Sequence, residues 1–93
     1  MYAVIRRYQG SAIIDAVASR QGEVEALIRA VPGFVAYYAV RAGDGGATIT
    51  ICQDQAGTAE STRRAAEWVR QNMPEVGSAG APEVTEGEVS VTF

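Results

Sequence analysis

Few side chains in this sequence are of a type and spacing that could do chemistry: Arg6, the adjacent pair Tyr37-Tyr38, Trp68 and Asn72. Arg6 and Arg7 are neighbours in an extended stretch, so they point to opposite faces, and one of them must enter whichever face is covered. A buried guanidinium cannot neutralise itself by losing a proton, so it needs an acid or an anionic ligand. The expected partner is Glu86 or Glu88 of the last strand. Tyr37 and Tyr38 diverge in the same way, one towards the helices and one towards an interface. An aromatic body with a polar tip suits a core edge first and a ligand cleft second. Trp68 lies about 100° round its helix from Val69, at the margin of the buried stripe, where packing is the first reading and ligand stacking the second. Asn72, just before Met73-Pro74, reads as a helix-terminus cap before it reads as a catalytic amide.

Other residue types close off whole classes. The chain contains no histidine, so it has no Ser-His-Asp triad, no Cys-His pair and no histidine-ligated zinc. Cys52 is the single cysteine, which excludes an intramolecular disulfide and any CxxC spacing. It ends the run Thr48-Ile49-Thr50-Ile51 and reads as a small buried hydrophobe. The glycines around Asp44 fit a hairpin and lack phosphate-cradle spacing. Arg63 and Arg64 with Glu60 and Glu67 read as a solvated helix face. Eight arginines, no lysine and eleven carboxylates give a net charge of −3, which argues against nucleic acid as a partner. No apolar run is long enough to span a bilayer, and the first residues carry no targeting pattern, so no membrane association and a cytoplasmic location are expected.

The elements that must position these residues follow from periodicity. Tyr2–Tyr8 reads as a strand. Ile13, Ile14, Val17, Val24, Leu27, Ile28 and Val31 fall on one helix face, with Ser11 placed to cap the start and Pro32-Gly33 to stop it. The stripe keeps its phase across Gly22, so one long helix is expected. Phe34–Arg41 is a second strand, in which alternation pairs Phe34 with Tyr38 and Val35 with Tyr37. The Ala42–Gly46 turn leads into a third strand, Ala47–Gln53. A second helix is expected over 56–73, with Thr62, Ala65, Ala66, Val69 and Met73 inward. Val76–Pro82 reads as a small-residue mobile loop, and Val84–Phe93 as the last strand.

The order β-α-β-β-α-β predicts a single α+β domain over residues 1–93, a ferredoxin-like four-stranded antiparallel sheet with two helices on one face. The face without helices should be polar in a monomer, yet both faces carry bulky apolar side chains. A chain of this size buries only about 60–65% of its unfolded surface on its own. A homodimer packed sheet against sheet is therefore expected.

The run Ile28-Arg29-Ala30-Val31-Pro32-Gly33-Phe34-Val35-Ala36-Tyr37-Tyr38 is similar to the helix-to-strand junction of dimeric α+β barrel proteins, the superfamily of the antibiotic biosynthesis monooxygenase-like proteins. The stretch Ala56-Gly57-Thr58-Ala59-Glu60-Ser61, continuing through Arg63-Arg64-Ala65-Ala66-Glu67-Trp68-Val69, resembles the second helix of its small members. These are packing motifs, so the resemblance speaks to fold and dimerisation more than to activity. It implies an oxygenase that uses neither metal nor flavin, or a binder of an aromatic or hydrophobic small molecule, with no cofactor. Tyr37, Tyr38, Trp68 and Asn72 would be the counterparts of its cleft residues, with Arg6 as a charged liner. The haem-degrading branch relies on a histidine ligand, and the isomerase-like branch on a histidine or an inward carboxylate, which this chain does not offer. A non-catalytic dimeric structural or interaction protein is the alternative.

Overall fold

The β-branched and aromatic run at the N-terminus forms β1 (Tyr2–Tyr8), which lies inside the sheet of a computed structural model that describes residues 1–74 and 82–93. β2 (Phe34–Ala42), β3 (Gly45–Cys52) and β4 (Glu83–Glu88) complete a four-stranded antiparallel sheet in the order β2-β3-β1-β4. β2 and β4 are thus its edges. The turn between β2 and β3 has two central residues, Gly43 and Asp44, and it is Gly43 that takes the positive φ of 58°. The glycine needed by this hairpin therefore precedes Asp44, as in a turn with a left-handed first residue. Most of the loop expected over Val76–Pro82 lies outside the described residues.

Two strand expectations are corrected by register. A bulge between Phe34 and Ala36 sets Phe34 opposite Cys52 and Ala36 opposite Ile51. The extra residue flips the parity, so Phe34 shares the helix side with Tyr37, not with Tyr38. β4 stops at Glu88 instead of reaching Phe93. Its partner β1 ends at Tyr2, opposite Glu88, and the last ladder bond runs from the Val89 N–H to the Met1 carbonyl at 2.9 Å. Beyond that there is no strand left to pair with.

The helical layer is also divided differently. The expected single helix is two, α1 (Ala12–Ser19) and α2 (Gln21–Arg29), followed by α3 (Gln55–Asn72), so among the described residues three helices cover the sheet. The break falls at Arg20, with φ −118° and ψ 39°. Helical hydrogen bonds still run into and out of it, Arg20 N–H to the Ala16 carbonyl and Val24 N–H to the Arg20 carbonyl, which is why the apolar stripe keeps its phase. The Arg20 guanidinium reaches across to α3, donating to Asn72 Oδ1 at 2.8 Å and lying 5.9 Å from the Trp68 ring centre. Ser11 occupies the N-cap position of α1 in a helical conformation and gives no side-chain cap. Asp54 does cap α3, accepting from the Gly57 N–H at 3.1 Å. Gly57 is required by a close approach: a Cβ there would meet the Cys52 Cβ at 2.7 Å and the Pro32 carbonyl oxygen at 2.8 Å.

The core occupies one side of the sheet and has two unlike halves. Ile13, Val17, Val24, Ile28 and Trp68 form an apolar cluster beneath α1, α2 and the C-terminal half of α3. Beneath the N-terminal half of α3 the buried side chains are Arg6, Thr48, Thr50, Thr58 and Ser61. No helix among the described residues lies over the other side of the sheet. By register it carries Ala3, Ile5, Ala36, Tyr38, Val40, Ala47, Ile49 and Ile51, with Tyr38 57% and Val40 45% exposed. No helix among the described residues is long and apolar enough to cross a membrane.

Candidate functional site

Arg6 is 1% exposed, and its five N–H donors are all taken by hydroxyls. Nε donates to Thr62 Oγ1 at 3.2 Å, and Nη1 to Thr48 and Thr50 Oγ1, each at 3.2 Å. Nη2 donates to Ser61 Oγ at 2.7 Å and again to Thr62 Oγ1 at 3.1 Å. Ser61 is aimed by its own bond, donating to the Thr58 carbonyl at 2.7 Å, and the buried Thr58 in turn donates to that of Gln55 at 3.0 Å. Alternation on β3 brings Thr48 and Thr50 to the inner face, and helical spacing brings Thr58, Ser61 and Thr62 down from α3. The ion pair expected with Glu86 or Glu88 is not made, nor does any other described carboxylate pair with Arg6. Val84 and Glu86 do share the inner face, but β4 is the edge, and Arg6 is turned inwards under α3. Burial pushes the guanidinium below its ordinary value, partly offset by Tyr8 and Tyr37. All of its hydrogen-bond partners are neutral hydroxyls, and the Glu86 carboxylate acts on it through space without pairing, so the charge leaves a positive field behind the neighbouring core.

The apolar half encloses a cavity of about 20 Å³ among Tyr8, Tyr37, Thr48, Ile28, Val69 and Trp68, among others. That is room for one water molecule. Burial raises the Tyr8 phenol, against opposing effects of Arg6 and a Thr48 hydrogen bond. It pushes Tyr37 up to about 12, with Tyr8 adding to the rise and Arg6 and Thr48 opposing it. Both phenols are therefore protonated at neutral pH, with an O–H to offer as a donor and no phenolate to act as a base. Tyr37 also lines two open grooves along the β2 edge. One, of about 310 Å³, runs past Gln21, Ile28, Arg29, Phe34 and Tyr38; the other, of about 360 Å³, runs past Ile14, Val17, Ala39 and Arg41. One tyrosine is thus shared by the enclosed space and both surface grooves.

The structure brings Tyr37 and Trp68 to one cavity and sets Arg6 behind them. Trp68 is not marginal: it is 8% exposed, packs in the core and donates Nε1 to Glu23 Oε1 at 2.8 Å. The inward stripe of α3 is rotated towards Gly57, Thr58, Ser61 and Trp68, which leaves Ala66 exposed. Tyr38 stands on the opposite face of the sheet, exposed. Asn72 lies at the end of α3, donating Nδ2 to the Trp68 carbonyl at 2.9 Å and accepting from Arg20, away from the cavity. Cys52 is fully buried, and burial, with Asp54 adding, raises its thiol. Sequence reasoning missed Tyr8 and Thr48. The signal for both was parity, since Tyr8 follows Arg6 by two residues and Thr48 precedes Thr50 by two. Among the described residues no cluster of three or more acidic, cysteine or histidine side chains could hold a metal ion.

No protein-family model and no curated protein sequence matches the chain. Solved structures do. A protein of unknown function from Nitrosomonas europaea superposes with a TM-score of 0.76 at 19% identity, over 99% of this chain and 91% of that one. MhuD, a heme-degrader from Mycobacterium tuberculosis, here a mutant with two manganese protoporphyrin IX per active site, gives a TM-score of 0.72 at 12% identity over 100% and 98%. A monooxygenase of Streptomyces coelicolor in complex with nanaomycin D gives 0.57 at 21% identity over 99% and 88%. The chain therefore shares the ferredoxin-like fold of these structures.

Proposed function

We propose that the protein is a homodimer joined through the helix-free face of its sheet, and that each protomer binds a planar aromatic or hydrophobic small molecule beside Tyr37. It acts there as a cofactor-independent monooxygenase-like protein or as a binder. The observation that carries the reading is the position of Tyr37, which faces the cavity and both grooves with Tyr8, Thr48 and Arg6 behind it. An apolar wall with a few convergent polar groups is what such sites are made of. The phenols would donate hydrogen bonds to a ligand oxygen, and the field of Arg6 would favour negative charge growing on that oxygen. The dimer is supported by the apolar face that the helices leave bare and by the barrel fold of its structural neighbours. For its location we retain the cytoplasm, in keeping with an unpaired Cys52.

The second reading is a dimeric protein without catalysis, in which these aromatics only complete the core; the enclosed space of about 20 Å³ favours it. The two separate in one experiment. Planar hydroxyaromatic compounds are titrated against the fluorescence of Trp68, the single tryptophan, with oxygen uptake followed in parallel. Saturable quenching that is lost in Tyr37→Ala supports the site, and oxygen uptake with it supports catalysis. No response across the panel leaves the second reading.

A further inference from the structure

Two residues, Ile28 of α2 and Tyr37 of β2, line both the small cavity and the groove of about 310 Å³ beside it. Ile28 is 3% exposed and packs in the apolar cluster against which Tyr37 also lies. Whatever passes from the groove into the cavity passes between these two side chains. The closed cavity, at about 20 Å³, holds one small molecule and no aromatic ring. A ring can enter only with one of the two displaced.

The contacts of α2 decide which one moves. Its polar contacts with other elements all lie on the flank turned to α3. Arg20, at its N-cap, donates to Asn72 Oδ1 at 2.8 Å; Glu23, in its first turn, accepts from Trp68 Nε1 at 2.8 Å; and the Leu27 carbonyl accepts from Arg64 Nη1 at 3.1 Å. Towards β2, among the described residues, α2 makes no hydrogen bond or ion pair. The nearest substitute is the Arg29 guanidinium, 5.8 Å from the Phe34 ring centre, beside the turn that ends the helix. α1 is held the other way, since Asp15 pairs with Arg41 of β2. The break at Arg20 separates the two helices, and Gly33, at φ 76°, lies in the turn at the far end. A helix tied along one flank and free along the other turns about the tied flank. That motion parts only the apolar contacts of Val24, Leu27 and Ile28 with the sheet, so it belongs to the low-cost end of local openings. We infer that Ile28 is the specificity-determining residue of the site: it closes the way from groove to cavity against Tyr37, and it moves aside as α2 turns about its contacts with α3.

This inference rests on the ligand site proposed above, and the test keeps the two apart. Methyl relaxation dispersion on the ligand-free protein reads the motion, and stopped-flow fluorescence of Trp68 with 1-naphthol reads entry and exit. The expected dispersion is confined to Val24, Leu27 and Ile28 and absent at Val17 of α1 and Val69 of α3. In Ile28→Ala the association and dissociation rates should both rise about tenfold, leaving Kd nearly unchanged, because a gate alters the barrier and not the bound state. If that chain does not fold, Ile28→Val decides, with the same pattern at about threefold. A changed Kd at an unaltered association rate, or dispersion spread equally over α1 and α3, overturns the gate and leaves the ligand site standing. Failure of 1-naphthol to bind any of these chains overturns the site and the role of Ile28 in it, while the dispersion still decides for or against the hinged helix.

Discussion

The two halves of the helix–sheet interface are built on opposite principles. Under the N-terminal half of α3, Arg6 is fixed by five hydrogen bonds to four hydroxyls, each with its own geometry. Under α1 and α2, Ile13, Val17, Val24, Ile28 and Trp68 are held by non-directional packing around a space the size of a water molecule. Directional bonds give one arrangement, and departures from it leave buried donors unpaired. Packed apolar side chains can be rearranged at lower cost, here beneath a helical layer already broken at Arg20. The polar half reads as the frame, and the apolar half as the side that can admit a ligand.

The comparison can be broken from either side. Trp68→Ala removes the largest side chain of the apolar half and should cost about 3–5 kcal/mol in urea denaturation. A loss under 1 kcal/mol would mean that the apolar half is not the core it is taken for. Arg6→Ala should cost about 3 kcal/mol by the same measurement, because it leaves a void and strips the hydroxyls of their donors. Asp54→Ala removes the cap of α3 and should cost ~1 kcal/mol. Two pH effects are smaller. The Tyr37 phenol is raised when folded, so the stability it contributes is complete below its unfolded value of 10.0 and declines as pH rises towards about 12. Phenolate absorbance in the folded protein should accordingly lag behind that of the unfolded chain. Glu60, held down to about 2 by Arg63 and Arg64, contributes above its ordinary 4.5 and loses that contribution as pH falls towards 2. Its partners lie at the surface, so this acid-side decline should shrink further in high salt.

Much of the frame is legible in the sequence because it depends on period. The alternation in β1 and β3 assigns Val4, Arg6, Thr48, Thr50 and Cys52 to one face, and the two stripes supply the helices that cover it. What period cannot supply is a change of period. One extra residue at Val35 moves Phe34 to the side of Tyr37, and no residue type there announces the bulge. The break at Arg20 is silent for the opposite reason: it preserves the phase of the stripe. For Arg6, the rule that a buried charge seeks an opposite charge pointed to Glu86 and Glu88. A cluster of hydroxyls at inward positions was equally visible, and five neutral acceptor contacts satisfy the same donors. The end of β4 was set by the length of its neighbour, a pairing fact that no window on residues 84–93 contains.

The division into frame and yielding side is tested most directly by isotope-edited NMR of the protein titrated with 1-naphthol. The account predicts saturable shifts at Ile28, Phe34, Tyr37 and Trp68, with Thr48, Thr50 and Ser61 keeping their positions and the Arg6 Nε–H remaining in slow exchange. Shifts centred on the hydroxyls around Arg6, or none at saturating ligand, would contradict it.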